Sequence, residues 1–183
     1  MNTLHFDLTR TATRQAILDD LLARLSEEHR SVLAERTRRA GVPLMHHHDL
    51  GAVDATIDGL MVSDHVKQDM HAIYRILAEA EAAAHGCAVE ETHFHEVGNG
   101  EAIENVLGIC LAVEALDPDE ITATCVQTGS GTVQCAHGVL DIPAPATAAI
   151  IARGIPVCSE LLEGELCTPT SAAVIYHFVD RFE

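Results

Sequence analysis

The chain has 183 residues and a mass of 19.6 kDa, enough for one domain with a proper core and short for two. Apolar residues make up 48 %, aromatics only 3 %, and tryptophan is absent, which excludes a disordered chain and requires a core of Ala, Val, Ile and Leu. Charge is uneven within the net −17: residues 1–40 carry seven arginines against six acids, and residues 41–183 four basic residues against twenty-two acids. So acidic a body repels nucleic acid and anionic membranes and attracts divalent cations.

No apolar run at the N-terminus is long enough for a signal peptide, and no segment approaches a membrane span, so a cytoplasmic protein is expected. In that reducing setting Cys87, Cys110, Cys125, Cys135, Cys158 and Cys167, widely spaced and without a CxxC pair, read as buried thiols. Lys67 is the only lysine and no GK[ST] turn exists, which excludes a Walker-type NTPase; the dinucleotide pattern GxGxxG is missing as well.

In chain order, "LHFDL" (4–8) alternates and predicts a first strand ending near Asp7. Ile17, Leu18, Leu21, Leu22 and Leu25 then form a helical stripe, and a second, short helix is expected before Gly41-Val42-Pro43. "MHHHDLG" (45–51) is an internal triple histidine, read either as an exposed loop or as a mobile metal-delivery arm. Ser63 can cap a long helix reaching Gly86, whose Val66, Met70, Ile73, Leu77 and Ala80 fall on one face. "EETHFHEV" (90–97) reads as a strand, and "EAIENVLGICLAVEAL" (101–116) as a helix stopped by Asp117-Pro118.

"EITATCVQTGSG" (120–131) and "TVQCAHGVLDI" (132–142) look like strands joined at Gly129-Ser130-Gly131, with a further turn at His137-Gly138. "PAPATAAIIARG" (143–154) is a short helix opened by proline, and "IPVCSELLEGEL" (155–166) a last strand. A terminal helix starts at Thr168-Pro169 and buries Val174, Ile175, Phe178 and Phe182. The alternation predicts an α/β fold, one domain over residues 1–183, built as a sandwich with a mixed β-sheet packed by helices.

The chemistry gathers in "ETHFHEVGNGEAIENVLG" (91–108). On a strand, His93 and His95 share one face while Phe94 points to the other, so two imidazoles can reach a common ion. Gly98 and Gly100 let the chain turn, and the helix start near Glu101 favours acids. With Glu101 and Asn105 on one helical face, a two-histidine-plus-carboxylate set arises that suits Ni, Zn, Mn or Fe. Glu96 or Asp7 could orient the second ring nitrogens. HxH pairs also occur in plain surface strands, so a polar turn on an acidic protein is the competing reading.

Three stretches, "VKQDMHAIYRILAEAEAAAHGCAVEETHFHEVG", "GSGTVQCAHGVLDIPAPATAAII" and "GELCTPTSAA", resemble the N-terminal module of the nickel-insertion proteins of the lactate-racemase cofactor pathway. The resemblance runs from about Val42 to the C-terminus. It implies a CTP-dependent nickel chelatase of the lyase class, which places nickel into a pyridinium mononucleotide bearing two thiocarboxylates and forms Ni–S and Ni–C bonds. It also implies a C-terminal module, expected to be absent here and supplied by a separate partner chain. A homo-oligomer is left open, and neither nucleic acid nor membrane is an expected partner.

On that resemblance His93, His95, Glu96 and Glu101 would hold nickel or another divalent metal, and Asp7, Glu96 and His137 would serve catalysis. Ser130, Gly131 and Thr132 would line the pocket, and Thr168, Thr170 and Ser171 would meet a ligand phosphate at a helix N-terminus, with Thr168 read first as an N-cap. Cys135 and Cys167 could also line it, or be buried thiols. The chain departs from the family pattern where a "GISGDM"-like turn reads "RTATRQA" (10–16), where the helix after "HFHEVG" carries Glu101 and Asn105 in place of two Asp, and at Gln134 and Ser171. Those departures support a second reading, a non-catalytic binding or assembly module; a metal-dependent hydrolase is a third.

Overall fold

A computed structural model describes residues 2–183. Strand β1 (Thr3–Phe6) is followed by helices α1 (Arg14–Arg24), α2 (Glu27–Ala40), α3 (Leu50–Gly59) and α4 (Asp64–His85). A single 3-10 turn at Val89–Glu91 leads to α5 (Gly100–Leu116). Then come strands β2 (Glu120–Ala123), β3 (Gly129–Ser130), β4 (Thr132–Cys135) and β5 (Gly138–Asp141), helix α6 (Pro145–Ile151), β6 (Gly164–Glu165), α7 (Pro169–Phe178) and β7 (Arg181–Phe182).

The α/β class holds, but the strands form three small sheets instead of one mixed sheet. β1, β2 and β7 make a parallel sheet with β2 in the middle, Leu4 facing Ile121 in register. β3 pairs antiparallel with β6, and β4 with β5. Division follows from strand length: two-residue strands such as β3 and β6 have too few ladder bonds to extend a sheet.

Helices supply the core. α4 buries the expected Val66, Met70, Ile73, Leu77 and Ala80 and adds Tyr74. α5 is buried along most of its length, from Ala102 to Val113, because α1, α2, α4 and α7 all pack on it. Helix starts follow the cap chemistry: the side chains of Thr13, Ser26, Asp49, Ser63, Asn99 and Thr168 each accept a first-turn N–H.

Four expectations need correction. The helix after α1 is not short but 14 residues long. α3 was not anticipated; capped by Asp49, it begins directly after the histidine triplet. The "EETHFHEV" segment is a 3-10 turn and an extended loop, not a strand, since no neighbouring strand takes its backbone groups. Phe182 lies on β7, and "IPVCSELLEGEL" contributes only the two residues of β6 and an isolated bridge at Val157.

The cysteines divide as well. Cys125 and Cys158 form a disulfide with Cα atoms 5.1 Å apart, contrary to the expectation of six thiols, while Cys110 and Cys167 are buried thiols as expected. A separation of 33 residues hid the pair, because Val126 and Val157 bridge two stretches that the sequence does not connect.

Candidate functional site

The "HFHEVGNG" loop keeps its alternation without being a strand. Phe94 is 1 % exposed and meets the ring of Tyr74 edge-on, whereas His93 and His95 face outward. Tyr74, from the middle of α4, donates its hydroxyl to the Val97 carbonyl at 3.0 Å and pins the turn.

The histidine triplet is docked against this loop and is not an exposed arm. The Phe94 N–H donates to the His48 carbonyl and the His47 N–H to the Gly98 carbonyl. His46 donates from Nε2 to the Phe94 carbonyl at 2.8 Å. His47 is 4 % exposed; its Nδ1–H donates to the Gly98 carbonyl and its Nε2 accepts from the Thr56 hydroxyl. Both nitrogens of His47 are thereby committed to structure, leaving His46 and His48, in edge contact, nearer the surface.

A cavity of about 300 Å³ opens beside the loop. The end of α4 contributes Glu81 and His85, the loop His95 and Glu96, the β4–β5 hairpin Cys135 and His137, and β6 Glu165. The His137 ring stands between the other two, 4.6 Å from His95 and 4.9 Å from His85 between ring centroids. Val133, Leu140, Val97 and Pro145 add apolar wall, while Arg14, Thr168, Pro169 and Thr170 come from the starts of α1 and α7.

Electrostatics at this wall favour a cation. Burial pushes the Glu81 carboxyl up, and the nearby Glu96 charge adds to that against the pull of His85 and His137. Glu165 is raised by burial and again by Glu96. His95 is lowered by burial and by the surrounding His137, His85, His46 and His93 rings. Carboxylates whose charge is disfavoured by crowding, beside an imidazole that resists protonation, are what a divalent ion would relieve. Among the described residues no three of these groups already stand at the spacing of a closed metal site.

Of the site residues expected from sequence, the cavity brings together His95, Glu96, His137, Thr168 and Thr170. It does not include His93, which is exposed beside it, nor Glu101, exposed in the first turn of α5. Asp7 lies at the end of β1, where its carboxylate accepts from the N–H and hydroxyl of Thr9. Ser130 donates its hydroxyl to the Leu162 carbonyl, and the Gly131 carbonyl accepts from the Ile142 N–H; with Thr132 they serve the β3–β6 and hairpin junction. Cys167 sits behind the wall, its thiol accepting from the Ser171 hydroxyl and pushed up to about 11 by burial.

Sequence reading missed Arg14, Glu81, His85 and Glu165. Glu81 and His85 carried a usable signal, two metal-ligand types four apart on one face at the end of a long helix. Arg14 and Glu165 carried none, as only the packing of α1 on α7 and the short β3–β6 pair bring them here.

Comparison with known proteins shows the family. The family described as Nickel insertion protein matches residues 6–183. The chain is similar to a pyridinium-3,5-bisthiocarboxylic acid mononucleotide nickel insertion protein of Staphylococcus saprophyticus, 42 % identical over 130 residues, covering 71 % of this chain and 33 % of the relative. A putative nickel insertion protein of Rhodopirellula baltica is 40 % identical over 130 residues, covering 70 % of this chain and 33 % of the relative. Another from Geotalea uraniireducens is 36 % identical over 165 residues, 83 % of this chain and 41 % of the relative. This chain thus spans about a third of the length of the first two. No solved structure matches it. No helix among the described residues is long and apolar enough to cross a membrane. Matched along nearly its whole length, the chain belongs to the nickel insertion protein family.

Proposed function

We propose that the cavity handles nickel for insertion into a pyridinium mononucleotide bearing thiocarboxylates, in the cytoplasm and together with the portion of the family architecture that this chain does not match. One observation supports the reading above all: His85, His95 and His137, from three separate elements, meet with Glu81, Glu96 and Glu165 at one cavity. Imidazole and carboxylate suit nickel as a transferable cargo, because neither binds it as tightly as a set of thiolates would.

Nickel is substrate here, not a resident cofactor. Forming a nickel–carbon bond at an aromatic C–H releases one proton, and Glu96, at the cavity edge, is the group we assign to accept it. His93, with His46 and His48 of the docked triplet, would supply metal to the cavity from outside, and CTP use belongs to the unmatched portion. Asp7 and Glu101 act, in this reading, on the fold and surface and not in the cavity.

The test is calorimetric titration of chelator-stripped protein with Ni²⁺, beside a His95→Ala/His137→Ala variant. Micromolar binding that weakens by at least about tenfold in the variant supports the reading. Equal weak binding in both removes it. Tight binding without any transfer to the thiolated nucleotide, in the presence of CTP and the rest of the family architecture, would favour the non-catalytic binding module.

A further inference from the structure

One wall of the cavity carries the opposite charge from the rest. Arg14, the first residue of α1, is the single Lys or Arg among the lining residues, facing a chain with 28 acids. Even so, the side chain of this half-buried residue makes no hydrogen bond or ion pair with any described residue; Arg10 and Arg30 also lack one but lie exposed and outside the cavity, while Arg24, Arg36, Arg75 and Arg153 all find carboxylates. A guanidinium left unpaired on a concave wall of an acidic protein is free for an anion from outside.

The start of α7, packed on α1, points the same way. Pro169 has no N–H to offer; the Ser171 N–H goes to the Thr168 hydroxyl and the Ala172 N–H to the Thr168 carbonyl. Thr170 is left over. Its N–H and its hydroxyl have no partner among the described residues, although the residue is 1 % exposed and lines the cavity. With Thr170 lining the cavity and its hydroxyl without a protein partner, that hydroxyl is available to a ligand acceptor. An N–H and a hydroxyl at a helix N-terminus, beside a free arginine, match the acceptor-only oxygens of a phosphomonoester.

We propose that Arg14 and Thr170 form a phosphomonoester subsite that orients a pyridinium nucleotide, its phosphate on the α1–α7 wall and its ring directed at the histidines. The assignment rests on the metal-handling reading for what the ring meets, but not for the phosphate end itself. Val133, Leu140 and Pro145 line the cavity with apolar surface suited to a flat ring between the two ends. The ligand therefore enters one way round, with the anion kept from the three glutamates by their charge.

The experiment uses metal-free protein and three probes: nicotinic acid mononucleotide, its dephosphorylated riboside, and inorganic phosphate. We expect the mononucleotide to bind at least tenfold more tightly than the riboside or phosphate alone. Arg14→Gln should reduce that preference to about twofold, and the near-isosteric Thr170→Val by a smaller factor, with thermal melts confirming that both variants are folded. Equal binding of mononucleotide and riboside, or a preference unchanged in Arg14→Gln, overturns the proposal. Phosphate binding as tightly as the mononucleotide overturns the nucleotide assignment in favour of free phosphate. Because no metal is present, failure of the Ni²⁺ titration with the nucleotide preference intact would strike only the metal-handling reading.

Discussion

The carbonyl of Gly98 accepts from both the backbone N–H of His47, at 2.8 Å, and its ring Nδ1–H, at 3.2 Å, so one glycine holds the histidine triplet against the cavity loop. Approach is so close that a Cβ on Gly98 would lie 1.9 Å from the His47 carbonyl oxygen. Backbone and not a flexible side chain stands in the way, so the two segments must separate.

Gly98→Ala should therefore destabilise the protein by about 1–3 kcal/mol, as overpacked sites do. Urea unfolding monitored by circular dichroism would measure it. The same substitution displaces His95, so weaker Ni²⁺ binding is expected alongside. A variant as stable as the parent would show that the triplet does not dock on this loop.

Tyr74 offers a cleaner cut on the other side of that loop. Its hydroxyl is buried in the core and has the Val97 carbonyl as acceptor. Tyr74→Phe removes the donor without changing the packing of the ring on Phe94, leaving a carbonyl unsatisfied. A loss of about 1–3 kcal/mol is expected. Amide hydrogen exchange should show faster opening at residues 94–99 than elsewhere. Uniform exchange throughout the chain would mean that the hydroxyl contributes nothing local.

His71 ties α4 to α3 through Asp54 and Asp58, each 2.8 Å from a ring nitrogen. Burial opposes its charge, but the hydrogen bonds its ring donates to the two carboxylates outweigh that and raise it above 6.5. A raised folded value means that the stabilisation is complete below pH 6.5 and is lost as pH rises through the folded value. Thermal midpoints of wild type and His71→Ala should thus differ most near about pH 6 and converge toward about pH 8. A constant difference across that range would show that the ring contributes by packing alone.

What could be read from the sequence was side-chain pattern; what could not was pairing between distant segments. The stripe of Val66, Met70, Ile73, Leu77 and Ala80 has helical period and is the buried face of α4. The outward–inward–outward order of His93, Phe94 and His95 also survived, because it depends on local extension and not on a partner strand. α3 was invisible, since Val53 and Ile57 are its only buried residues and too few to show a period. The two-residue strands β3, β6 and β7 have no period at all. For that reason Glu165 could not be placed, and Glu101 was grouped with the histidines by nearness in sequence although the first turn of α5 leaves it in solvent.

The cysteines give a test that reads the fold and the cavity together. Cys135 lines the cavity and is half-buried, as is Cys87, whose thiol lies 3.7 Å from the Thr92 hydroxyl. Burial raises both Cys110 and Cys167, the latter to about 11, so neither forms thiolate readily nor meets reagent. Iodoacetamide should therefore modify Cys135 and Cys87 in the native protein, Cys110 and Cys167 only after unfolding, and Cys125 and Cys158 only after reduction. Peptide mapping by mass spectrometry assigns each. Added Ni²⁺ should slow the reaction at Cys135 and not at Cys87, because only the first thiol shares the cavity with His95 and His137. Equal slowing at both would place the metal elsewhere on the acidic surface, and early labelling of Cys167 would contradict the burial of the wall behind α7.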